Sequence, residues 1–277
     1  MKQNINFLTQ NLIAHRGYHD DEKGIPENSM RAFEEAVKNN FIIELDVHIL
    51  KDGEVVVFHD DNLIRMTGID RKIKDYTYSE ISKLRLKETE EKIPLLKEVL
   101  DLVNGKVPLI IELKTDVKCG KLEKEAIKIL KQYNGEYAIK SFNPLSVNYF
   151  RKHSPSTIRG QLASDFKNDN MFILKKIFLK HMLFNCISKP DFISYDIRVL
   201  PNKKIARIRE KQLVLGWTAR SEEDIEKAKK YCDNVIFENI KIAKRVKNDG
   251  NKNNIFCTRY NNWQCWKIMQ WLEWSNA

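Results

Sequence analysis

Residues 41–50 of the chain read FIIELDVHIL, and residues 51–59 continue as KDGEVVVFH. Both pieces are rich in β-branched and aromatic residues, which favour strands. An Asp-Gly pair between two such runs is a strong signal for a hairpin. The stretch therefore predicts two paired strands, with the turn centred on Asp52 and Gly53.

This hairpin brings acidic and basic side chains to one level. Glu44 and Asp46 are two residues apart, so in a strand both side chains point to the same face. A two-residue turn at Asp52 and Gly53 predicts that Asp46 lies across from His59. The imidazole would therefore return to the height of the two strand carboxylates.

Outward from the hairpin, short strand patterns alternate with segments of helical periodicity. Residues 28–39, for example, place apolar side chains at helical spacing, and Ser221 with Asp224 resembles a capping box at the start of a later helix. Strand patterns that are each followed by a helix number eight, near residues 12, 43, 110, 139, 159, 193, 215 and 236. They predict an α/β fold, a TIM (β/α)8 barrel with a β-hairpin extension after strand 2 and a short insertion at about 61–94.

Functional residues of such barrels lie at the carboxyl ends of the strands. Glu44, Asp46 and Glu112 all stand there, and three unpaired carboxylates this close would repel and raise each other's pKa. A hard divalent cation removes the conflict, and all-oxygen ligands favour Ca²⁺ or Mg²⁺. The alternative for the same residues is a salt-bridge ring with Lys114 and Arg16.

Two histidines, His15 and His59, stand in charged triplets next to predicted strand ends. Phosphodiester cleavage needs a base for the attacking oxygen and an acid for the leaving one, and imidazole serves as either near neutral pH. We therefore expect both residues to be catalytic. His19 and His48 are weaker candidates.

Two cations lie beside these groups. Arg16 can bind phosphate oxygens with two parallel hydrogen bonds, and Lys114 can add a point charge. Gly17 permits close approach of the backbone. Two histidines, three carboxylates and two cations at strand ends are typical of metal-assisted cleavage of a phosphodiester.

The motifs resemble those of the glycerophosphodiester phosphodiesterase family, over about residues 10–245 and in the same order. The matching blocks are His15-Arg16-Gly17, Pro26-Glu27-Asn28-Ser29, Glu44-Leu45-Asp46-Val47, Lys51-Asp52-Gly53, Val57-Phe58-His59-Asp60 with Leu63 and Arg65, Glu112-Leu113-Lys114, Ser141-Phe142-Asn143-Pro144 and Gly216-Trp217-Thr218.

The resemblance implies a TIM barrel that uses a divalent ion to hydrolyse glycerophosphodiesters to sn-glycerol 3-phosphate and an alcohol. It implies attack of the glycerol 2-hydroxyl on phosphorus, followed by hydrolysis of the cyclic phosphate. By position, it implies metal ligands Glu44, Asp46 and Glu112, acid and base His15 and His59, phosphate contacts Arg16 and Lys114, a first-loop residue Glu27 near the metal or the glycerol, and glycerol walls Phe142 and Trp217.

Some positions depart from the family pattern. Residues 235–239 read VIFEN, where the family usually has a Thr-Asp pair, so Glu238 receives no role from the resemblance. The insertion after His59 is short, which leaves the substrate preference open.

Composition limits the class of protein. The chain has 277 residues, 42% apolar and 31% charged, which is typical of a soluble globular protein. Five cysteines without a C-x-x-C pair indicate free thiols in a reducing compartment. The net charge of +10 is spread along the chain, without a nucleic-acid motif. We expect a cytoplasmic protein, without a signal peptide or membrane span, that could also bind a membrane peripherally.

Two segments do not fit the barrel pattern. Residues 165–190 interleave large apolar side chains with lysines and would follow the fifth barrel strand on the active-site side. They form either a core-facing helix or a lid that contacts a membrane surface. We assign residues 1–247 to the barrel and 248–277 to a Trp-rich tail, which could be a docking or dimer segment, an interfacial anchor or the product of a shifted reading frame. The oligomeric state is open.

Two other functions compete with the leading hypothesis. A lysophospholipase D-like phosphodiesterase would use the same site on lysolipids at a membrane surface. A non-catalytic protein would use the barrel to bind phosphoglycerol groups, although the intact histidines and carboxylates argue against it.

Overall fold

A computed structural model describes residues 4–115, 119–165 and 182–241. Eight parallel strands form a closed barrel, because β1 pairs with both β2 and β9. The short strand β3 pairs antiparallel with β2 outside the barrel. The strands are β1 Ile13–Ala14, β2 Ile42–Ile49, β3 Val55–Val57, β4 Leu109–Leu113, β5 Tyr137–Ser141, β6 Ile158–Ala163, β7 Phe192–Asp196, β8 Leu213–Ala219 and β9 Asn234–Phe237. The predicted TIM barrel with a hairpin extension is confirmed.

Helices connect most successive barrel strands. In the described ranges they are α1 Met30–Lys38, α2 Ile64–Thr67, α3 Tyr78–Ile81, α4 Leu96–Val103, α5 Lys121–Leu130, α6 Pro144–His153, α7 Asn185–Ser188, α8 Lys203–Arg209 and α9 Glu222–Tyr231. The predicted cap at Ser221 forms, since its side chain accepts from the Asp224 N–H. Ser29 caps α1 in the same way, with its side chain accepting from the Ala32 N–H.

Alternate residues of each strand point into the barrel, where one apolar layer lies low in the interior. It includes Ile13, Ile42, Ile110, Phe192 and Ile236, all buried. A 3-10 helix, Ile5–Thr9, closes this end, because its Phe7 and Leu8 pack into the same cluster. The interior above this layer is left for polar side chains.

Two other apolar clusters lie in the described part of the chain. The larger one lies between the outward faces of the strands and the helices, and includes Phe33 of α1 and Val99 of α4. Residues 61–94 form the predicted short insertion and build a small core of their own against the hairpin, with Phe58 and Met66 among its buried members. The insertion is therefore packed against the hairpin that carries His59.

The hairpin register differs by one residue from the prediction. Val47 pairs with Val57, and the Phe58 N–H donates to the Asp46 carbonyl at 2.9 Å. The cause is a three-residue loop, closed by the Leu50 N–H donating to the Glu54 carbonyl at 2.9 Å, with Gly53 at φ 93°. Phe58 therefore lies across from Asp46, and His59 is one residue farther along.

Two predictions lie wholly or partly outside the described residues. These are the Trp-rich tail 248–277 and residues 166–181 of the suspected lid. The domain boundary at 247 is likewise not tested. Among the described helices, none combines the length and apolar composition that crossing a bilayer requires.

Candidate active site

Strand alternation positions the polar layer of the barrel. Side chains two residues apart in a strand point to the same face. The residue two positions after an inward apolar side chain therefore also points inward, nearer the carboxyl end of the strand. Glu44 thus follows Ile42, and Asp46 follows Glu44. The same rule places Glu112 on β4 and Lys140 on β5. It places His15, Lys114 and Glu238 just beyond β1, β4 and β9.

Three buried carboxylates form the centre of the site. Glu44, Asp46 and Glu112 each offer an oxygen within 4.8 Å of the other two. Oxygens on a single Ca²⁺ lie 2.3–2.6 Å from the ion and hence at most about 5 Å apart. The spacing and the all-oxygen donor set therefore fit a hard divalent cation.

Two lysines contact the same carboxylates. Lys114 Nζ lies 2.5 Å from Glu112 Oε1 and 2.9 Å from Asp46 Oδ1. Lys140 Nζ lies 2.7 Å from Glu44 Oε1 and 3.2 Å from Glu112 Oε2. Burial alone would lower the pKa of each lysine, but the neighbouring carboxylates outweigh it and raise the pKa. Both ammonium groups therefore stay charged inside the barrel.

Asp46 has two partners besides Lys114. It accepts a hydrogen bond from Asn28 Nδ2 at 3.0 Å, and Arg16 Nε lies 3.5 Å away. Burial opposes its ionisation, but the charges of Lys114, His59 and Arg16 hold its pKa well below the usual range. Some of the predicted salt-bridge ring therefore exists, and it shares the carboxylates with the candidate metal site.

The loop after β1 fixes Arg16 over this cluster. The Arg16 N–H donates to Glu44 Oε2 at 3.1 Å, and Arg16 Nη1 donates to Glu27 Oε1 at 2.7 Å. The next residue, Gly17, has φ 79°, and a Cβ there would lie 2.9 Å from the Ala32 backbone. Only glycine lets this loop pack so closely against α1.

His15 is held on one side by Glu238. Its Nδ1 donates a short hydrogen bond to Glu238 Oε2, and Nε2 faces Glu44 Oε2 at 3.9 Å. Arg220 Nε donates to the other Glu238 oxygen at 2.6 Å. Glu238, which the family pattern leaves without a role, thus contacts one of the two predicted catalytic histidines.

His59 has a similar pair of partners. Its Nδ1 lies 2.6 Å from Asp60 Oδ1, and Arg65 Nε donates to Asp60 Oδ2 at 2.6 Å. Arg65 also donates to both oxygens of Glu27, at 2.9 and 2.7 Å. Glu27 therefore joins Arg65 to Arg16 and links the first loop to the hairpin. His48 binds the backbone of His59, since its Nε2 donates to the His59 carbonyl at 3.1 Å.

Phe142 and Trp217, the aromatic pair predicted to flank the glycerol, contact each other in the structure. The rings of Phe142 and Trp217 meet edge to face, with centroids 5.7 Å apart and planes at 82°. Trp217 also packs against the apolar layer of the barrel interior. The structure thus brings the predicted residues of strands β1 to β8 to one end of the barrel.

Asn28, Lys140 and Glu238 contact the carboxylates or histidines of the site, although the sequence predicted no role for them. Strand alternation could have found two of them, since Lys140 follows the inward Ala138 by two residues and Glu238 follows Ile236. Asn28 lies in a loop, where φ is 54°, and no periodicity marks it.

Comparison with known proteins agrees with this geometry. The sequence model of the glycerophosphoryl diester phosphodiesterase family matches residues 15–250. This chain belongs to that family. The predicted resemblance is confirmed.

Individual relatives support the assignment. A glycerophosphodiester phosphodiesterase of Caldanaerobacter subterraneus subsp. tengcongensis is 39% identical over 155 residues, which cover 52% of this chain and 63% of that protein. A human lysophospholipase D is 38% identical over 144 residues, covering 47% of this chain and 44% of the relative. The chain thus matches less than two thirds of the length of these curated relatives.

A solved structure has the same fold. An Oleispira antarctica phosphodiesterase, in complex with the product sn-glycerol-3-phosphate, superposes with a TM-score of 0.69 at 23% identity, covering 83% of this chain and 93% of that one.

Proposed function

We propose that the protein hydrolyses glycerophosphodiesters to sn-glycerol 3-phosphate and an alcohol. The observation that carries the proposal is the set of two histidines, each bound to a carboxylate, beside three buried carboxylates that can share one cation. Family membership and the names of the relatives favour the same reaction. The substrate would be a small molecule.

Glu44, Asp46 and Glu112 would hold one divalent cation, Ca²⁺ or Mg²⁺. When bound, such an ion neutralises charge on the phosphoryl oxygens and stabilises the charge that develops in the transition state. Arg16 and Lys114 would add to this effect, because both lie against the same carboxylates. Their charges would orient the phosphate group before the reaction.

His15 and His59 would transfer the protons. One imidazole takes the proton of the attacking glycerol 2-hydroxyl, and the other protonates the leaving alcohol oxygen. For each ring the nitrogen that is bound to a carboxylate is Nδ1. Nε2 is thus the atom that exchanges a proton with the substrate. Hydrolysis of the cyclic phosphate would use the two rings with their roles exchanged.

The glycerol would lie between the aromatic pair and the polar layer. Phe142 and Trp217 offer ring faces and edges to its carbon atoms, and the edge-to-face contact keeps both rings in place. Glu27, bound to two arginines, would hold the first loop closed over the phosphate.

The test is release of glycerol 3-phosphate from glycerophosphocholine with Ca²⁺ or Mg²⁺ present. Wild-type protein should be active, His15→Ala should lose activity, and excess chelator should abolish turnover that added cation restores. Glu90→Gln is a matched control, since Glu90 is 93% exposed in its side chain. Undiminished activity in chelator would contradict the three-carboxylate metal site, and no activity in any protein would contradict the reaction.

A second candidate is a lysophospholipase D-like activity on lysolipids. Three large apolar side chains are about half exposed on α6 and around its neighbour α7: Leu145 at 50%, Leu183 at 49% and Ile187 at 47%. Helices α6 and α7 pack against each other, and α6 begins where β5 ends. This surface could bind an acyl chain or the surface of a membrane, to which a cytoplasmic protein would attach peripherally.

Lysophosphatidylcholine micelles separate the two candidates. If the surface serves lysolipids, Leu183→Ser with Ile187→Ser should reduce their hydrolysis and leave glycerophosphocholine hydrolysis unchanged. An equal effect on both substrates would contradict the second candidate.

A further inference from the structure

Glu238 is built into the barrel together with His15. The His15 N–H donates to the Phe237 carbonyl at 2.9 Å, so the backbone of the histidine is bonded to the residue before Glu238. The Glu238 N–H donates in turn to the Ala219 carbonyl at 3.0 Å. The two side chains are 11% and 10% exposed. Neighbouring strands therefore fix both ends of the contact.

Both oxygens of the carboxylate have partners. Oε2 accepts from His15 Nδ1, and Oε1 accepts from Arg220 Nε at 2.6 Å. Burial alone would raise the pKa of Glu238, but the hydrogen bond with His15 and the charge of Arg220 lower it to about 2. At neutral pH the carboxylate can only accept hydrogen bonds.

This constraint fixes the tautomer of His15. An acceptor opposite Nδ1 requires the proton of a neutral imidazole to reside on Nδ1. The lone pair of Nε2 then faces the polar layer of the barrel, where Glu44 Oε2 lies 3.9 Å away.

We propose that Glu238 is a positioning residue, which fixes the ring plane and the tautomer of His15, and that Arg220 holds its carboxylate in place. The inference rests on the proposed phosphodiesterase function only for its kinetic consequence. The tautomer itself is a property of the folded protein and can be measured without a substrate.

Arg220 makes the test sharper, because it can only donate hydrogen bonds. In Glu238→Gln, Arg220 would retain the amide oxygen, so the amide NH₂ group would face His15. An NH₂ donor requires Nδ1 to be the acceptor and moves the imidazole proton to Nε2. Removing Arg220 in the same chain, as Glu238→Gln with Arg220→Ala, frees the amide to rotate and to accept from Nδ1 again.

The experiment measures kcat, KM and the ¹⁵N NMR signals of His15, assigned by their loss in His15→Ala. Wild type should show the Nδ1–H tautomer. Glu238→Gln should show the Nε2–H tautomer and a kcat lower by about 10² or more at a similar KM, since one general base contributes 10²–10⁴ in rate. The double variant should recover part of both. Glu223→Gln is the matched control, because it makes the same substitution at an exposed glutamate in the first turn of α9.

Glu238→Ala guards against a folding defect in any one variant. It removes the acceptor without supplying a donor, and should give a mixture of tautomers and a lower kcat. Wild-type tautomer and kcat in both Glu238→Gln and Glu238→Ala would overturn the inference. If wild type lacks phosphodiesterase activity, the proposed function fails, while the NMR signals still decide the role of Glu238.

Discussion

The His15 and His59 sides of the site have the same chemistry but come from different parts of the chain. Each imidazole binds a carboxylate through Nδ1, and an arginine binds the second oxygen of that carboxylate at 2.6 Å. On the first side, His15 and Glu238 are 223 residues apart and meet through adjacent barrel strands. On the second, His59 and Asp60 are neighbours in sequence.

The difference in origin is also a difference in exposure. The side chains of His15 and Glu238 are 11% and 10% exposed, whereas those of His59 and Asp60 are 30% and 25% exposed. A buried hydrogen bond has no water to replace it when one partner is removed. The barrel strands therefore provide a buried imidazole–carboxylate pair, and the hairpin provides a more accessible one.

The largest expected effect is the loss of either imidazole. His15→Ala and His59→Ala should each lower kcat by about 10²–10⁴, because each removes one of the two proposed proton-transfer groups. The difference in exposure between His15 and His59 predicts a difference in chemical rescue by added imidazole. Added imidazole should restore more activity to His59→Ala than to His15→Ala, because the His59 position is more open. Equal rescue of both variants would remove the distinction.

Replacing the carboxylate that binds each histidine should lower kcat by less, and by different amounts on the two sides. Asp60→Asn should lower kcat about tenfold less than Glu238→Gln does, which corresponds to ~1.4 kcal/mol in activation free energy. Water can reach His59 and replace part of the lost contact, but it cannot reach His15 as easily. Steady-state kinetics of the two variants side by side measure the difference, and a larger loss in Asp60→Asn would reverse the comparison.

The pH dependence of stability should reveal the buried pair. The pKa of Glu238 falls from 4.5 to about 2 on folding, so its ionised form stabilises the native state. This contribution is fully present above pH 4.5 and is lost as the pH falls towards 2. Urea unfolding of wild type and Glu238→Gln should therefore give a stability difference that shrinks over this window. A constant difference would mean that His15 and Arg220 do not hold the carboxylate ionised.

The smallest effect concerns the two arginines. Arg65 bonds to Asp60 and to both oxygens of Glu27, whereas Arg220 bonds through its side chain to Glu238. Arg65→Ala should therefore cost about 1 kcal/mol more in unfolding free energy than Arg220→Ala, as partly exposed pairs contribute 0.2–1 kcal/mol each. Arg85→Ala is the control, since its partner Glu90 is 93% exposed. Equal unfolding free energies for the first two variants would contradict the prediction.

The His59 side could be predicted from sequence because its parts are local. The hairpin was predicted with its register displaced by one residue. Asp60 and Arg65 lie in the same short stretch, but the contacts of Asp60 with His59 and of Arg65 with Glu27 were not predicted. The strand-end carboxylates could be predicted equally well, since a spacing of two residues along β2 places Glu44 and Asp46 on one face.

The His15 side could not be predicted to the same depth. Its partner comes from the last barrel strand, and only the closure of the barrel makes β9 adjacent to β1. Glu238 also departs from the family pattern, so the resemblance implied no role for it. Lys140 was missed because a buried lysine contradicts the expectation that lysines are exposed, and only the carboxylates around it make its burial affordable.

The segment that closes the lower end of the barrel has a consequence for where this protein can be cut. The family match begins at residue 15, but Phe7 and Leu8 are buried in the barrel interior and Asn234 Nδ2 donates to the Leu8 and Asn11 carbonyls at 2.7 Å each. A chain trimmed to the family limits would open the floor of the barrel to water and leave the Asn234 amide without these acceptors. Shared motifs thus mark where the chemistry begins, and the folding unit begins several residues earlier.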